Sequence, residues 1–332
     1  QYNVAAKANA EVQGSFPAQF EVATQDLELS RLGIVLDGEP IGGRLTARVQ
    51  GAGELADWQR IEAAGRVEDL LVELRGQRIA NEGPLEFGFR DGVVRAGPAT
   101  LVAGGSRISL AGALPLEGEG VDSLKIHGTF DLPSLAGMLP GTEDFTVTGS
   151  ARLAAELRGS FEQLHPSFEF EIPEATAASK AMEGMSGALS LTLSGDMPRL
   201  QAPDSLRLEA TIARLDLLAR NYRLRLEEPA RISAAKGVAR VDSFVLTGPE
   251  TRLEVTGTAG LAEPLPLALR LAGDLNASLV SLFTREATLA GPTRFEVAVG
   301  GTAEAPELTG FLTVERGVAA ISQAGIRADE LD

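Results

Sequence analysis

Cysteine is absent from all 332 residues of the sequence. This absence excludes disulfide bonds, thiolate nucleophiles and zinc–thiolate sites together. The two histidines, His127 and His165, lack the neighbours that a zinc site of ordinary spacing requires. We therefore expect both to be surface side chains, and we expect no metal site. One tryptophan and two tyrosines are poor material for the aromatic platforms on which sugar rings stack.

Sequence signatures of catalysis are missing as well. There is no Gly-x-Ser-x-Gly elbow, no phosphate loop ending in Gly-Lys-Ser/Thr and no His-Glu-x-x-His. The net charge of −16 disfavours nucleic acid as a partner. Acidic pairs such as Glu143-Asp144 leave a glycosidase open, if strands bring two carboxylates to one sugar. We predict a protein that is not an enzyme and needs no cofactor.

The dominant positive signal is a period of two. Apolar and polar residues alternate in six segments, at 168–172, 189–193, 206–209, 252–256, 265–271 and 294–299. Because successive side chains of a strand point to opposite faces, each segment predicts a strand with one apolar and one hydrated face. This pattern is typical of antiparallel sheets. Asp91-Gly92 predicts a hairpin turn, and short helices are expected at 55–63, 131–139 and 274–283, the last two with an Asp N-cap.

The sequence also repeats itself. Five residues recur at an offset of 145, so that Pro84, Gly92, Arg95, Arg107 and Gly112 match Pro229, Gly237, Arg240, Arg252 and Gly257. Farther along, Asp131 matches Asp274 and Gly149 matches Gly291. We predict one continuous repeat segment over 1–332, with units at 67–212 and 213–332 and the end of a preceding unit at 1–66. Two duplicated β-domains with separate cores are the alternative.

The segment from Gly300 resembles a recurring phrase of the TamB and AsmA-like families. In it a strand ends at Gly301-Thr302, and Pro306, Leu308 and Gly310 open the next strand. The resemblance implies a curved sheet folded lengthwise into a trough, the β-taco of these families. It implies a periplasmic setting in a diderm bacterium, an inner-membrane anchor outside this chain, and phospholipid movement to the outer membrane. Because the sequence starts at Gln1 without a leader, we expect a middle piece of a longer protein.

We therefore expect an all-β fold, an elongated curved antiparallel sheet forming an open hydrophobic trough with a few short helices. The expected function is non-enzymatic transport of phospholipid between the inner and outer membranes, with acyl chains shielded in the trough. One alternative is a scaffold or chaperone that assembles outer-membrane proteins by strand-edge pairing, with an outer-membrane barrel protein as partner. A closed β-sandwich or barrel core, and a β-solenoid adhesin or carbohydrate enzyme, are further alternatives.

The candidate lipid-contacting residues are the apolar members of the alternating segments. They are Phe87, Phe89, Ile108, Leu110, Leu124, Ile126, Phe168, Phe170, Ile172, Leu189, Leu191, Leu193, Leu206, Leu208, Leu253, Val255, Leu267, Leu269, Leu271, Phe295, Val297 and Val299.

Overall fold

The computed structural model describes residues 4–10, 17–33, 35–36, 39–54, 57, 61–74, 77–118, 120, 122–136, 145–179, 184–196, 207–219, 222–276, 287–314, 317–321 and 326–331. These residues form an all-β fold, which confirms the predicted class. The described helical residues are confined to a 3-10 turn, Leu29–Leu32, and to α1, Leu132–Ala136.

The chain divides into two compact units. The first comprises Gln1–Leu139 and Arg152–Phe168, and the second comprises Pro140–Ala151 and Glu169–Asp332. Strands before the division are β1 (Val4–Ala10), β2 (Pro17–Glu28), β3 (Val35–Leu36), β4 (Glu39–Pro40), β5 (Gly42–Glu54), β6 (Glu62–Leu74), β7 (Gln77–Asn81), β8 (Leu85–Arg90), β9 (Val93–Ala103), β10 (Ser106–Pro115) and β11 (Ser123–Asp131). Residues of β12 (Phe145–Gly159) and β13 (Leu164–Ser179) are divided between the units.

The remaining strands belong to the second unit. They are β14 (Met185–Asp196), β15 (Arg207–Ala219), β16 (Tyr222–Leu226), β17 (Ala230–Ala235), β18 (Val238–Gly248), β19 (Thr251–Gly260), β20 (Leu267–Asn276), β21 (Ala287–Ala290), β22 (Pro292–Gly301), β23 (Pro306–Val314), β24 (Gly317–Ile321) and β25 (Ile326–Leu331).

Antiparallel pairing builds each unit in the same way. In the first unit the strands follow the order β1–β2–β5–β6–β8–β9–β10–β11, and β7 pairs with both β6 and β9. In the second unit the order is β14–β15–β17–β18–β19–β20–β22–β23, and β16 pairs with both β15 and β18. Separate small sheets join β3 to β4 and link β21, β24 and β25.

The ladder registers repeat at the offset seen in the sequence. Leu110 pairs with Ile126 in the first unit, and Val255 pairs with Leu271, 145 residues later, in the second. Asp274 pairs with Arg252, so its structural equivalent is Thr129, the partner of Arg107. The match of Asp131 with Asp274 made on sequence is therefore displaced by two residues.

The predicted hairpin is confirmed at Asp91-Gly92. Their φ angles of 51° and 71° are both positive, as a type I′ turn requires. Lys236 and Gly237 repeat this turn in the second unit, with φ angles of 53° and 72°.

One of the three predicted helices is present, and the other two are wrong where the structure describes them. At 131–139, α1 covers Leu132–Ala136, and the Asp131 carboxylate accepts a hydrogen bond from the Ser134 N–H at 3.1 Å, as an N-cap does. The helix expected at 274–283 is wrong at its start, because Asp274–Asn276 continue β20 and pair with β22. The helix expected at 55–63 is wrong at its end, because Glu62 and Ala63 lie in β6. Residues 55–56, 58–60, 137–139 and 277–283 lie outside the described residues.

The buried core is small. Among the described residues, the buried apolar side chains are Leu27, Leu29, Ala99, Ala113, Leu114, Ala151, Ala155, Leu164, Ala188 and Ala230. Six of these ten are alanine, and no described Phe, Ile or Val side chain is buried. A closed core would be dominated by large side chains. The described Phe, Ile and Val side chains are instead half-buried or exposed.

Candidate functional site

Six of the candidate lipid-contacting residues share one face of the sheet in the first unit. Directly paired residues of an antiparallel ladder point to the same side. Ile108, Leu110 and Gly112 lie on one face of β10, where Leu110 pairs with Ile126 and Gly112 pairs with Leu124. Phe87 and Phe89 join them through β9, because Phe89 pairs with Val94 and Val94 pairs with Leu114.

The second unit carries a longer apolar face. One transverse row crosses eight strands from β14 to β23, with a single apolar or glycine residue contributed by each. The row is Leu193, Ala210, Ile232, Val241, Gly257, Leu269, Val299 and Leu308. With neighbouring strands about 4.8 Å apart, it spans roughly 34 Å. Two neighbouring rows lie on the same face. One contains Leu253 and Phe295, and the other contains Val255, Leu271 and Val297.

Candidates on β13 alternate as predicted. Phe168, Phe170 and Ile172 are half-buried, whereas Glu169 and Glu171 between them are exposed. Leu206 lies outside the described residues. Of the other candidates, Phe87 is 43% exposed and the rest are half-buried. The apolar faces are thus partly covered and partly open to solvent.

Several members of these faces were missed by the sequence analysis. In the first unit the face extends to Phe20, Val22 and Val49, which pair through β2 and β5. In the second it extends to Ile232 and Val241. Alternation was present in these segments too, but glycines and alanines at intervening face positions weakened it. Counting Gly and Ala as apolar-phase residues would have found them.

Glycines on the apolar face leave room for neighbouring rings. Phe87 lies across Gly65, its partner on β6, and Phe20 lies across Gly51 on β5. In the second unit Leu208 covers Gly195 in the same way. Each large side chain therefore lies flat along the sheet instead of standing above it. The result is a face with low relief.

The opposite face is lined with charged residues in cross-strand ion pairs. In the first unit Arg66 bonds Glu86 at 2.5 Å. In the second, Arg270 bonds Glu296 and Arg294 bonds Asp274, both at 2.9 Å. The hydrogen bond from Arg270 lowers the pKa of Glu296. This face therefore carries side chains of both signs, held in pairs across the strands.

One ion pair recurs at the offset of 145 residues. Arg107 bonds Glu82 in the first unit and Arg252 bonds Glu227 in the second, at matching positions. These pairs are about half exposed, so each contributes little to stability. At this position the two units share an ion pair as well as the ladder register.

Two open cavities lie in the first unit, of about 1060 and 830 Å³. Both are lined mainly by the charged face, including Arg66 and Glu86 in the first and Glu62 and Arg95 in the second. Phe87 borders the first cavity and Phe89 the second. Charged and apolar side chains therefore both line the two cavities, and most of their lining residues belong to the charged face.

His127 and His165 are both exposed, as expected. Across the described ranges, no group of three His, Asp or Glu side chains is placed to hold a metal ion. None of the described helical segments has the length and apolar character to cross a membrane.

Comparison with protein-family models, with curated proteins and with solved structures finds no match for this chain.

Proposed function

We propose that the apolar faces of the two units hold phospholipid acyl chains, and that the chain is a non-enzymatic conduit for lipid. The observation that supports this most is the half-exposed state of the large apolar residues. The row from Leu193 to Leu308 presents eight apolar or glycine positions in the second unit. No described Phe, Ile or Val side chain is buried there as a closed core would require.

The driving force is the removal of methylene groups from water. Each buried methylene contributes about 0.8 kcal/mol, so a chain of about fifteen methylenes resists crossing water by roughly 12 kcal/mol. An apolar face lowers that barrier over its whole length. Phe87 fills the space over Gly65 and Leu208 fills the space over Gly195, so neither position offers a lipid a separate pocket.

The cellular setting follows from the resemblance to the TamB and AsmA-like families. On that basis the chain lies in the periplasm of a diderm bacterium, between an inner-membrane anchor and an outer-membrane barrel protein. Within each unit, the apolar face would shield the acyl chains from water.

The test is site-specific photocrosslinking. A photoreactive residue at Leu253 lies on the apolar face, and one at the adjacent Glu254 lies on the charged face. After incubation with phosphatidylethanolamine vesicles, we expect labelled lipid at Leu253 and little at Glu254. Equal labelling of both positions, or no labelling of either, would overturn the proposal.

A second candidate function is a scaffold that pairs with strands of outer-membrane proteins. It is favoured by β23, which pairs with β22 on one side and, among the described strands, with none on the other. Leu308, Phe311 and Leu312 on this strand are 70%, 52% and 63% exposed. An unpaired apolar edge is a template for strand addition.

The two functions are separable by one variant. Phe311→Lys blunts the same edge from the charged face, where Phe311 pairs with Glu296, and leaves the apolar row and Leu253 unchanged. If the scaffold function holds, the variant loses its ability to keep an unfolded β-barrel protein soluble. If only the lipid function holds, that ability is absent from both forms and lipid labelling at Leu253 persists.

A further inference from the structure

Three arginines surround one carboxylate on the charged face of the second unit. Asp216 of β15 pairs with Arg225 of β16, and Leu218 pairs with Arg223. Arg214 lies two residues before Asp216 and therefore on the same face. We call Arg214, Arg223 and Arg225 the arginine cluster. The cluster lies near the end of β15, since Asp216 is three residues before the last residue of that strand, Ala219.

The carboxylate fixes two of the three guanidinium groups. Arg223 donates to Asp216 twice, from Nε to Oδ1 at 2.8 Å and from Nη2 to Oδ2 at 2.7 Å. Arg225 Nε lies 3.4 Å from Oδ2. The Asp216 side chain is only 13% exposed, whereas Arg223 and Arg225 are 51% and 57% exposed. The carboxylate is held inside and the guanidinium groups face solvent.

The charges of this group do not balance. The hydrogen bond from Arg223 lowers the pKa of Asp216, so the carboxylate stays ionised. One negative charge therefore meets three positive ones. Arg214 forms no ion pair with any described residue, although it is close enough to act on Asp216. This local positive excess stands in a chain of net charge −16.

The first unit provides a contrast at the equivalent positions. Leu71 and Ala80 are paired there where Asp216 and Arg225 are paired in the second unit. Arg78, the counterpart of Arg223, is neutralised by Glu73 at 3.0 Å. The arginine cluster is thus specific to the second unit and is not required by the repeated fold.

The chemistry of the cluster fits a phosphate group. A guanidinium is planar and donates two parallel hydrogen bonds to phosphate oxygens. No described residue accepts a hydrogen bond from Arg214, or from the donors that Arg223 and Arg225 do not use on Asp216, so these groups can bind such a ligand. Leu218, paired with Arg223, is 40% exposed and adds an apolar contact beside the charge. A pre-oriented cluster loses less entropy on binding than three mobile side chains.

We propose that the arginine cluster binds a phosphate group, supplied either by a phospholipid headgroup or by free phosphate. The headgroup source rests on the proposed lipid function, whereas the phosphate site does not.

The experiment measures binding of inorganic phosphate and of a short-chain, monomeric phosphatidic acid to the full chain by titration calorimetry. The test variant carries Arg214→Gln and Arg225→Gln, which leave the bidentate Arg223–Asp216 pair in place. We expect affinity for both probes to fall by roughly tenfold or more. The matched control, Arg78→Gln in the first unit, removes one positive charge and should leave binding unchanged.

The outcomes separate the sources and the functions. If the test variant loses binding of both inorganic phosphate and phosphatidic acid, the result supports a phosphate site that accepts lipid. Binding of inorganic phosphate alone supports the site and overturns the headgroup source. No saturable binding of either probe, unchanged binding in the test variant, or equal loss in the Arg78→Gln control overturns the proposal. Lipid labelling at Leu253 is read separately and decides the conduit function.

Discussion

Phe87 lies directly over Gly65, with its ring in the space that a side chain at Gly65 would fill. A Cβ at Gly65 would come within 2.1 Å of the ring Cζ. The two residues are paired across β6 and β8, so the contact is a property of the ladder. Such aromatic–glycine pairs support strands that glycine alone would weaken.

Substituting Gly65 by alanine should displace the Phe87 ring. Because Phe87 is 43% exposed, the ring can swing outward, and we expect a loss of about 1 kcal/mol in the free energy of unfolding. Urea denaturation measures it. In a Phe87→Ala background the same substitution should cost much less, and an equal cost there would show that the ring is not the cause.

Gly112 and its equivalent Gly257 are constrained by the backbone instead. Their φ angles are 136° and 128°, and an added Cβ would lie 2.0 Å from the Ser123 carbonyl oxygen or 2.2 Å from that of Ala268. Alanine at either position should destabilise the chain by on the order of 2 kcal/mol. Thermal unfolding of both variants tests this.

Gly92→Asn is the matched control for those glycines. Gly92 also has a positive φ, of 71°, but nothing lies within 4 Å of its added Cβ. Asparagine tolerates this conformation, so the variant should unfold close to the wild-type temperature. If Gly112→Ala were equally harmless, the crowding at that position would not be real.

A charge on the apolar face should block lipid without unfolding the chain. Val297→Lys places an ammonium group on a half-buried position of β22, from which the long side chain reaches water. We expect loss of lipid labelling at Leu253 and a cost below about 1 kcal/mol in stability. The control is Ala298→Lys, on the exposed opposite face. Global unfolding of Val297→Lys would instead indicate a closed core.

The pH dependence of stability should contain a contribution from Asp216. The hydrogen bond from Arg223 lowers its pKa in the folded chain, so its stabilisation is complete above the ordinary Asp value of about 3.9. It is then lost as pH falls through the lowered value. Asp216→Asn should flatten the decline in unfolding free energy below about pH 4. Urea titrations across this range measure it, and an unchanged slope would contradict the expectation.

Many strands could be predicted from the sequence because the alternation of apolar and polar residues is a local property. The segments around Phe168, Leu191 and Leu253 lie in strands, and the hairpin at Asp91-Gly92 is present. The helix expected from Asp274 failed for a non-local reason. Its residues alternate well enough to extend β20, and pairing with Arg252 on one side and Arg294 on the other holds them in the sheet.

Which residues share a face was decided only by the tertiary structure. A bulge between Leu110 and Gly112 shifts the register with β9, so that Ala96 and Ala99 point to the same side despite their odd spacing. The arginine cluster depends likewise on the pairing of β15 with β16 and on the missing acidic partner for Arg214. Neither follows from a period of two, because both depend on the register in which neighbouring strands pair.

By itself the sequence determined that this protein is an antiparallel β-structure with a repeat of 145 residues, since side-chain parity and glycine turns are local properties. Only the tertiary structure decided that the large apolar residues stay half-exposed and that Ala and Leu fill the small core. Burial depends on what packs over a face, and alternation is the same whether that face is covered or open.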